Sequence, residues 1–293
     1  MNWKLAGMAG TALSVLALSG VSIAGANKFT GNVSLAVGQT FQDDLGGIFD
    51  DSYTSISGDA KLNVAFSNNI NLQLNFAGNG SFADESNPGL SLDRDAGFQA
   101  SANVYYRNDR YAVGLFGGAG ISSGAEFGPV DNAEYYFVGA QGQYYWNNFT
   151  FGLEGGYLDS SADFAGGPDD LFLNSAWFAN AEVRWYATPK FALSANLGYI
   201  SGEAAFGNAD VDTLHWGAKA EYWPEEKEPL SLWVAYEGRT TEADFNPGSV
   251  DKDTHTVKIG LTIHFGVDGT QQDNDRHGPA FNQMDYGAIV VGG

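Results

Sequence analysis

The sequence contains no cysteine, which excludes a disulfide framework, a thiolate metal site and a cysteine nucleophile. Basic residues are also scarce, because 14 Lys and Arg stand against 35 Asp and Glu and the formal net charge is -21 at pH 7. We expect no nucleic-acid partner for so acidic a chain. Beyond the first 26 residues, no apolar run is long enough for a helix to cross a bilayer.

Glycine and aromatic residues are abundant instead. There are 39 Gly, 20 Phe, 14 Tyr and 7 Trp, and apolar residues almost never recur at helical spacing. This profile predicts a large all-β protein. The mean hydropathy of -0.20 resembles that of a soluble protein, but strands that alternate apolar and polar residues are hidden in such an average.

The first segment has the features of a secretory signal peptide. Lys4 supplies a positive start, an apolar and small-residue run extends from Leu5 to Ile23, and Ala24-Gly25-Ala26 fits the cleavage pattern. We therefore predict a signal peptide over residues 1–26, a barrel over 27–265 and a tail over 266–293. The alternative is an uncleaved transmembrane anchor, against which the Gly, Ser and Thr content and the cleavage site argue.

From Phe29 onward the sequence alternates in polarity, as in Val33-Ser34-Leu35, and alternation with period two is the strand signal. Breaks rich in turn-forming residues separate the alternating segments. Twelve strands are predicted near residues 29–41, 53–66, 70–80, 96–107, 111–121, 134–146, 149–158, 176–187, 191–200, 213–223, 230–240 and 254–265.

The breaks are alternately short and long. Five are short turns, and the six between them are long and rich in Gly, Asp, Ser and Asn. A membrane barrel with both termini in the periplasm has short periplasmic turns and long extracellular loops. The sequence therefore predicts an all-β, antiparallel, up-and-down transmembrane β-barrel of about 12 strands. A soluble β-sandwich gives no reason for the asymmetry.

Aromatic residues gather at both ends of the predicted strands, on the apolar face. Amphipathic rings favour the membrane-water interface and form girdles there. Next to the short turns, the predicted membrane girdle contains Tyr106, Tyr111, Trp146, Phe149, Trp185, Phe191, Tyr222 and Phe265. The predicted girdle at the loop ends contains Phe41, Tyr53, Phe76, Phe98, Tyr136, Tyr157, Trp177, Tyr199 and Tyr236.

The signal peptide, the alternating strands, the turn and loop rhythm and the last strand up to Phe265 resemble Gram-negative outer-membrane barrels, broadly the porin-like families. The resemblance covers residues 29–265. It implies location in the cell outer membrane, with outer-membrane lipids, lipopolysaccharide and the barrel-assembly machinery as partners. Members of these families usually end at the aromatic residue of the last strand, whereas here a tail follows. We expect the tail to be a mobile periplasmic extension, and the alternatives are a plug inside the lumen or a periplasmic partner strand.

Residues that alternate with the lipid-facing ones point into the lumen. The charged ones predicted there, as a lumen wall or constriction, are Asp59, Lys61, Arg107, Glu154, Glu182, Arg184, Lys219, Glu221, Glu237, Arg239 and Lys258. Several form oppositely charged pairs at spacing i, i+2, so the lumen is predicted to be close to neutral. Such pairs form structural networks or a constriction that sorts solutes, and these two interpretations are compatible.

Acidic residues concentrate in the long loops and at their junctions with the strands. The predicted acidic mouth includes Asp43, Asp44, Asp50, Asp51, Asp169, Asp170, Asp251 and Asp253. An acidic mouth concentrates cations and repels anions, although acids also serve simply to keep loops soluble. No loop matches the calcium-binding pattern, so we expect no cofactor and no dedicated metal site, only loose divalent cation binding at the acidic loops.

These features favour a porin-like channel for passive diffusion of small hydrophilic solutes or cations. The main alternative is a non-conducting structural or adhesive barrel. An outer-membrane hydrolase ranks lower, because the chain has no Gly-x-Ser-x-Gly or HExxH motif and the inward-facing His215 and His264 are predicted near opposite strand ends. A Ser, His and acid group assembled from distant strands stays open.

Overall fold

The computed structural model describes residues 26–44, 49–66, 68–82, 94–124, 132–160, 173–204, 209–224, 230–245, 248–266 and 269–290. The predicted signal peptide up to residue 25 and most residues of the long loops lie outside these ranges. The strands are β1 (Ala26–Asp44), β2 (Phe49–Phe66), β3 (Ile70–Phe82), β4 (Arg94–Arg107), β5 (Tyr111–Gly124), β6 (Asn132–Trp146), β7 (Phe149–Ser160), β8 (Leu173–Thr188), β9 (Phe191–Ala204), β10 (Asp210–Tyr222), β11 (Leu230–Phe245) and β12 (Gly248–Phe265). No helix in the described ranges is long and apolar enough to cross a membrane.

The strands form one closed antiparallel barrel in which each strand pairs with its neighbours in sequence. β1 and β12 complete the ring, with Gly31 opposite Phe265 at the turn end and Asp44 opposite Lys252 at the loop end. The predicted strand number and up-and-down order are therefore confirmed. Closure leaves no unpaired strand edge, which a bilayer requires because its core offers backbone groups no water to bond.

The strands extend further toward the loops than their hydrophobic pattern predicts. β2 begins at Phe49 rather than near residue 53, and β12 begins at Gly248 rather than near residue 254. The added residues are mostly Asp, Ser and Gly, so apolar residues do not alternate with polar ones in these extensions. Alternation therefore marks the part of a strand that faces lipid, whereas the backbone ladder continues beyond it.

The outer face of the barrel is apolar and exposed, as a lipid-facing surface must be. At the turn end its rings touch one another, with Phe149 stacked 6.1 Å from Trp146 and 6.3 Å from Trp185 between ring centroids. One predicted member of the loop-end girdle is wrong: Tyr53 is buried and shares the inward parity of Ser55. Tyr53 lies an even number of residues from the inward-facing Asp59, so strict alternation excludes it from the lipid face.

The inner face has two different halves. Near the turns it is polar, with Tyr105 Oη donating to Asn63 Oδ1 at 2.8 Å and Gln141 Nε2 donating to Asn103 Oδ1 at 2.8 Å. Toward the loops it carries a buried apolar patch, here called the inner apolar patch, formed by Phe116, Phe137, Leu158, Phe178, Ile200 and Val211. The sequence did not predict this patch, because these strand segments are apolar on both faces there and lose their alternation.

Glycines make room for the rings of the inner apolar patch. A Cβ on Gly139 would lie 2.6 Å from Phe116 Cζ, and a Cβ on Gly156 would lie 2.7 Å from Phe178 Cζ. The rings therefore lie across neighbouring strands at positions where a side chain would collide with them. This arrangement lets large rings lie flat on the wall instead of filling the centre of the lumen.

After β12 the chain turns back into the barrel. Gly266 has a φ of 77°, and a Cβ on it would lie 2.1 Å from the carbonyl oxygen of Phe29, so the turn favours glycine. The tail, defined from here on as residues 269–290, then forms helices α1 (Gln271–His277) and α2 (Tyr286–Val290). The expectation of a mobile periplasmic extension is wrong, because the tail is packed against inward-facing side chains of the barrel.

Candidate functional site

A cavity of about 440 Å³ lies in the lumen beside the tail. The predicted lumen residues that line it are Asp59, Lys61, Glu154, Glu182, Arg184, Lys219, Glu221, Glu237, Arg239 and Lys258. Tail residues from Gln271 to Ile289 complete the lining. The structure thus brings together side chains from opposite ends of the sequence around one space in the lumen.

Arg107 differs from the other predicted lumen residues because the tail covers it. Its Nη1 donates to the Gly278 carbonyl oxygen at 2.6 Å. Its Nη2 donates to the His277 carbonyl oxygen at 3.1 Å and to Asn71 Oδ1 at 3.2 Å. Arg107 was predicted to be a charged residue of the lumen wall or constriction, and it does face inward. There it holds the tail, since a guanidinium presents several donors in a rigid fork.

Glutamines on the same wall bind the backbone of the tail. Gln73 Nε2 donates to the Phe281 carbonyl oxygen at 2.8 Å and Gln143 Nε2 donates to that of Ala280 at 2.6 Å. Gln99 Nε2 donates to the Met284 carbonyl oxygen at 2.7 Å. These side-chain amides donate hydrogen bonds to the backbone carbonyls of an extended tail segment that has no strand partner of its own. Glutamines on β3, β4 and β6 thus supply the hydrogen bonds that a neighbouring strand would otherwise provide.

Two aromatic residues anchor the tail. Phe281 meets the Tyr105 ring edge-on at 5.0 Å between centroids. Tyr286, whose exposed fraction is 0%, stacks on Phe137 at 4.1 Å and contacts Phe178 at 5.0 Å. The inner apolar patch is therefore the seat of α2, and burying such rings is a large favourable contribution to docking.

At the turn end, α1 is tied to β7 and β8 through Asp275. Its Oδ1 accepts from Arg184 Nη1 at 2.6 Å and its Oδ2 accepts from Thr150 Oγ1 at 2.8 Å. Arg184 also donates to Glu182 Oε1 at 3.0 Å. The predicted pair Glu182–Arg184 is thus extended by an acid from the tail that sequence reasoning did not single out.

The start of α1 is a capping box. The Asp273 backbone N–H donates to Thr270 Oγ1 at 3.2 Å, and Asp273 Oδ2 accepts from the Thr270 backbone N–H at 2.8 Å. Burial acts to raise the pKa of the Asp273 carboxyl, but the hydrogen bonds from Thr270 outweigh it and hold that pKa below its usual 3.8. The carboxylate form is therefore the one that caps the helix.

Asn282 connects two separate parts of the wall across the lumen. Its Oδ1 accepts from Lys61 Nζ on β2 at 2.5 Å, while its Nδ2 donates to the carboxylate of Glu182 on β8 at 3.0 and 3.1 Å. Lys61 was predicted to pair with Asp59, and its ammonium is directed to the tail instead. The tail amide therefore narrows the lumen at the level of these two charges.

The wall formed by β10, β11 and β12 carries ion pairs that the tail does not cover. Lys219 Nζ lies 3.0 Å from Glu221 Oε2, as predicted. Lys258 Nζ lies 2.6 Å from Glu237 Oε2, a pair across neighbouring strands. Arg239, predicted beside Glu237, donates to the Ala288 carbonyl oxygen of the tail at 2.9 Å.

A Ser, His and acid group does assemble, but its geometry does not suit catalysis. Ser231 Oγ lies 3.0 Å from His264 Nε2 and donates to Glu221 Oε1 at 2.7 Å. In a triad the acid holds the opposite ring nitrogen. Here Glu221 approaches Nε2, on the same side as the serine, and Nδ1 has no hydrogen-bond partner within the described ranges. Ser231 is also fully buried, so no substrate reaches its oxygen.

The other predicted site residues fall at the two rims. The girdle residues at the turn end lie on the outer face, where the ring centroids of Tyr106 and Tyr111 are 5.9 Å apart. Of the predicted mouth acids, Asp43 and Asp251 are exposed at the loop ends of their strands. Asp253 accepts from Thr240 Oγ1 at 2.6 Å. Asp169, Asp170 and the side chains of Asp44, Asp50 and Asp51 lie outside the part that the structure describes.

Comparison with known proteins shows the fold. No family model and no curated protein matches the chain. An outer-membrane channel from Pseudomonas putida F1 superposes with a TM-score of 0.52 at 15% identity, over 84% of this chain and 100% of that one. The translocator domain of the autotransporter NalP from Neisseria meningitidis gives 0.46 at 13% identity, over 89% and 96%. The KdgM porin gives 0.42 at 9% identity, over 78% and 99%.

The first of these likenesses agrees with the closed ring of strands and the apolar outer face. The chain is a closed twelve-stranded antiparallel β-barrel whose fold is that of an outer-membrane channel. In this chain the tail binds the inside of its own lumen and leaves a cavity lined by charged side chains beside it.

Proposed function

We propose that the protein is an outer-membrane channel through which small hydrophilic solutes diffuse passively. The observation that carries this proposal is the cavity of about 440 Å³ in the lumen, whose lining includes ten acidic and basic side chains of the barrel wall together with several amides. Barrels of about 8 strands are filled by side chains and those of 16 to 18 hold open channels, so a barrel of twelve strands permits a narrow pore but does not require one.

The proposal includes a preference for cations. The chain has a formal net charge of -21, while the charged groups of the lumen are largely paired with one another. The excess of acids therefore resides toward the rims, where it attracts cations to the entrance. Exposed Asp43 and Asp251 at the loop ends belong to this excess.

The proposal also includes the route to the membrane. The predicted signal peptide directs the chain across the inner membrane and is then cleaved, and the barrel-assembly machinery inserts the barrel into the outer membrane beside lipopolysaccharide. The exposed apolar face supports insertion, because it would aggregate in water. No nucleic-acid contact, enzymatic activity or resident cofactor forms part of the proposal.

Planar-bilayer recording with purified, refolded full-length protein tests the proposal. We expect discrete conductance steps in potassium chloride, and a reversal potential on the cation side under a salt gradient that weakens as salt screens the rim acids. Complete absence of conductance would refute a channel. Conductance steps with no preference for cations would refute only the proposed selectivity and leave the channel function standing.

The tail supports one rival function, a non-conducting structural or adhesive barrel. Arg107, Gln73, Gln99, Gln143 and the inner apolar patch all bind the tail, which closes one side of the lumen. If the remaining cavity does not reach both rims, no solute crosses. Silent bilayers from the full-length protein, together with a cell-surface or adhesion defect on loop deletion, would favour this rival.

A further inference from the structure

Asn282 of the tail connects two strands that face each other across the barrel. In the closed ring, β2 and β8 are separated by five strands in either direction, so Lys61 and Glu182 point into the lumen from opposite walls. Asn282 Oδ1 accepts from Lys61 Nζ at 2.5 Å, and Asn282 Nδ2 donates to the two Glu182 carboxylate oxygens at 3.1 and 3.0 Å. These three side chains, here called the crossbar, are therefore hydrogen-bonded in a row across the lumen.

The crossbar lies within the cavity, because inward-facing residues on both sides of it border the same space. Gln141 and Glu154 line the cavity from β6 and β7, and Lys219 and Trp233 line it from β10 and β11. All three members of the crossbar line it as well. A solute that moves along the lumen must therefore pass the crossbar on one side or the other.

The tail obstructs one of these two sides. Gln73, Gln99 and Gln143 hold its backbone against the wall formed by β3 to β6. On the other side, β10, β11 and β12 carry ion pairs that the tail does not cover, and the centroid of the inward Trp233 ring lies 4.7 Å from Lys219 Nζ. We therefore expect solutes to pass between the crossbar and this second wall.

Asn282 keeps two charged side chains extended toward the middle of the lumen. Each has an oppositely charged residue two positions away on the same face of its own strand, Asp59 for Lys61 and Arg184 for Glu182. Without the amide, Lys61 is free to turn back to Asp59, and Glu182 stays with Arg184 at the wall. An amide suits the central position, because its oxygen accepts from the ammonium while its nitrogen donates to the carboxylate.

We propose that Asn282 is the residue that sets the size limit of the channel. It does so mainly by holding Lys61 and Glu182 across the lumen, and the bulk of its own side chain contributes less. This inference rests on the proposed channel function. It specifies the part of the lumen that excludes larger hydrophilic solutes.

Liposome swelling and single-channel recording with the full-length protein test the inference. The probes are four uncharged sugars of increasing size: arabinose, glucose, sucrose and raffinose. We expect Asn282→Ala to admit sugars that the wild type excludes and to raise the conductance, while Arg107 and Tyr286 keep the tail docked. Gln283→Ala is the matched control and should keep the wild-type limit, because the Gln283 amide turns to the wall, where its Oε1 accepts from Ser101 Oγ at 2.8 Å.

Asn282→Leu distinguishes bridging from bulk. Leucine has the branched shape of asparagine but forms no hydrogen bonds, so it cannot hold the two charged side chains. We expect this variant to raise the size limit as well, although less than Asn282→Ala does. A wild-type limit in Asn282→Leu would overturn the proposal. Lys61→Met removes one end of the crossbar and should also raise the limit, so it decides the question if the Asn282 variants fail to refold.

Cysteine pairs test the geometry without any conduction, since the chain has no cysteine of its own. In the folded barrel, a short bis-maleimide should join Asn282→Cys to Lys61→Cys and, in a second variant, Asn282→Cys to Glu182→Cys. The pair Gln283→Cys and Ser101→Cys is the positive control. Failure of both Asn282 pairs while the control pair reacts would overturn the crossbar. Absence of all swelling and all ion current in the wild type would instead refute the channel, and with it any size limit.

Discussion

Asp275 ties the tail to the barrel wall through a buried ion pair, with a side chain only 2% exposed. Replacing it by Asn should loosen α1, because Arg184 keeps Glu182 but loses its shorter partner. We expect docking of the tail to weaken by about 1–3 kcal/mol, the range for a charged hydrogen bond lost in a buried site. Limited proteolysis in detergent should then cut the tail of Asp275→Asn sooner than that of the wild type.

The exposed Asn282 offers the matched control for that experiment. Asn282→Ala removes bonds to Lys61 and Glu182 near the cavity, where both partners still reach water. It should change the cutting rate less than Asp275→Asn does. Equal cutting of the wild type and Asp275→Asn would contradict the role given to the pair.

At the other end of the tail, variants of Tyr286 distinguish the contribution of ring packing to tail docking from that of hydrogen bonding. Its ring stacks on Phe137 and contacts Phe178 at a tilt, whereas its hydroxyl has no hydrogen-bond partner within the described ranges. Tyr286→Ala should weaken docking by about 3–5 kcal/mol, the usual cost of deleting a buried aromatic ring. Tyr286→Phe should be neutral or slightly stabilising, because it removes a buried polar group that lacks a partner.

Proteolysis of the tail and tryptophan fluorescence of the barrel measure both Tyr286 variants under one set of conditions. The prediction fails if the Phe variant releases the tail as readily as the Ala variant. That result would mean that the hydroxyl, rather than the ring, holds α2.

The capping box gives the tail a pH dependence of known sign. Because the pKa of Asp273 is held below its usual 3.8, the cap stabilises α1 above that value and loses this stabilisation as the pH falls through the lower, folded-state pKa. Thr270→Ala should cost about 1 kcal/mol at neutral pH. Proteolysis of the tail at pH 6 and near pH 3 should show a difference that shrinks in Asp273→Asn, and a difference that persists there would assign it to other acids.

At the scale of elements, the barrel and the tail are held by separate sets of bonds. Every strand is paired on both sides without the tail, including the seam between β1 and β12. Deletion of residues 269–293 should therefore leave a folded, heat-resistant barrel. Its conductance should rise several-fold, because the tail no longer occupies the lumen beside the wall formed by β3 to β6.

The same deletion should shift ion selectivity toward anions. It removes Asp273, Asp275 and Asp285 together with a single arginine, and it uncovers Arg107 and frees Arg184 from Asp275. The reversal potential under a salt gradient should move accordingly. Unchanged conductance and selectivity would mean that the tail leaves the lumen of the wild type whenever the channel is open.

The elements show what sequence reasoning could reach. Alternation over stretches such as Phe29–Phe41 predicts a strand and its faces, because lipid on one side and a polar lumen on the other impose period two. It fails where both faces are apolar, as at Phe137-Val138 and Trp177-Phe178. The inner apolar patch was missed for this reason, and its apolar partner in the tail, Tyr286 to Val290, was the available signal.

Single charges were easier to place than their partners. Alternation put Glu182, Lys219 and Glu237 on the lumen face, and all three line the cavity. Spacing within one strand could not reveal that Glu237 binds Lys258, because the partner depends on the register between strands. Trp233 could have been found, since its neighbours Leu232 and Val234 face lipid.

At the scale of the whole molecule, the charge is divided by surface. The outer face is apolar, the lumen holds ion pairs such as Lys219–Glu221 and Lys258–Glu237, and exposed acids such as Asp43 and Asp251 lie at the loop ends of their strands. We therefore expect the proposed channel to sort solutes in two steps, first by charge sign at the entrance and then by the charges within the cavity. Raising the salt concentration should weaken the first step more than the second, because confined pairs are screened less.

The turn at Gly266 couples the seam of the barrel to the contents of its lumen. β12 pairs with β1 and continues through that glycine into the tail, so the position of the seam strand sets the position of every tail residue. A slip of β12 by two residues keeps the faces correct but moves the chain by about 7 Å. Such a slip would carry Asp275 away from Arg184 and Tyr286 away from Phe137. Docking of the tail therefore depends on the register of the last strand.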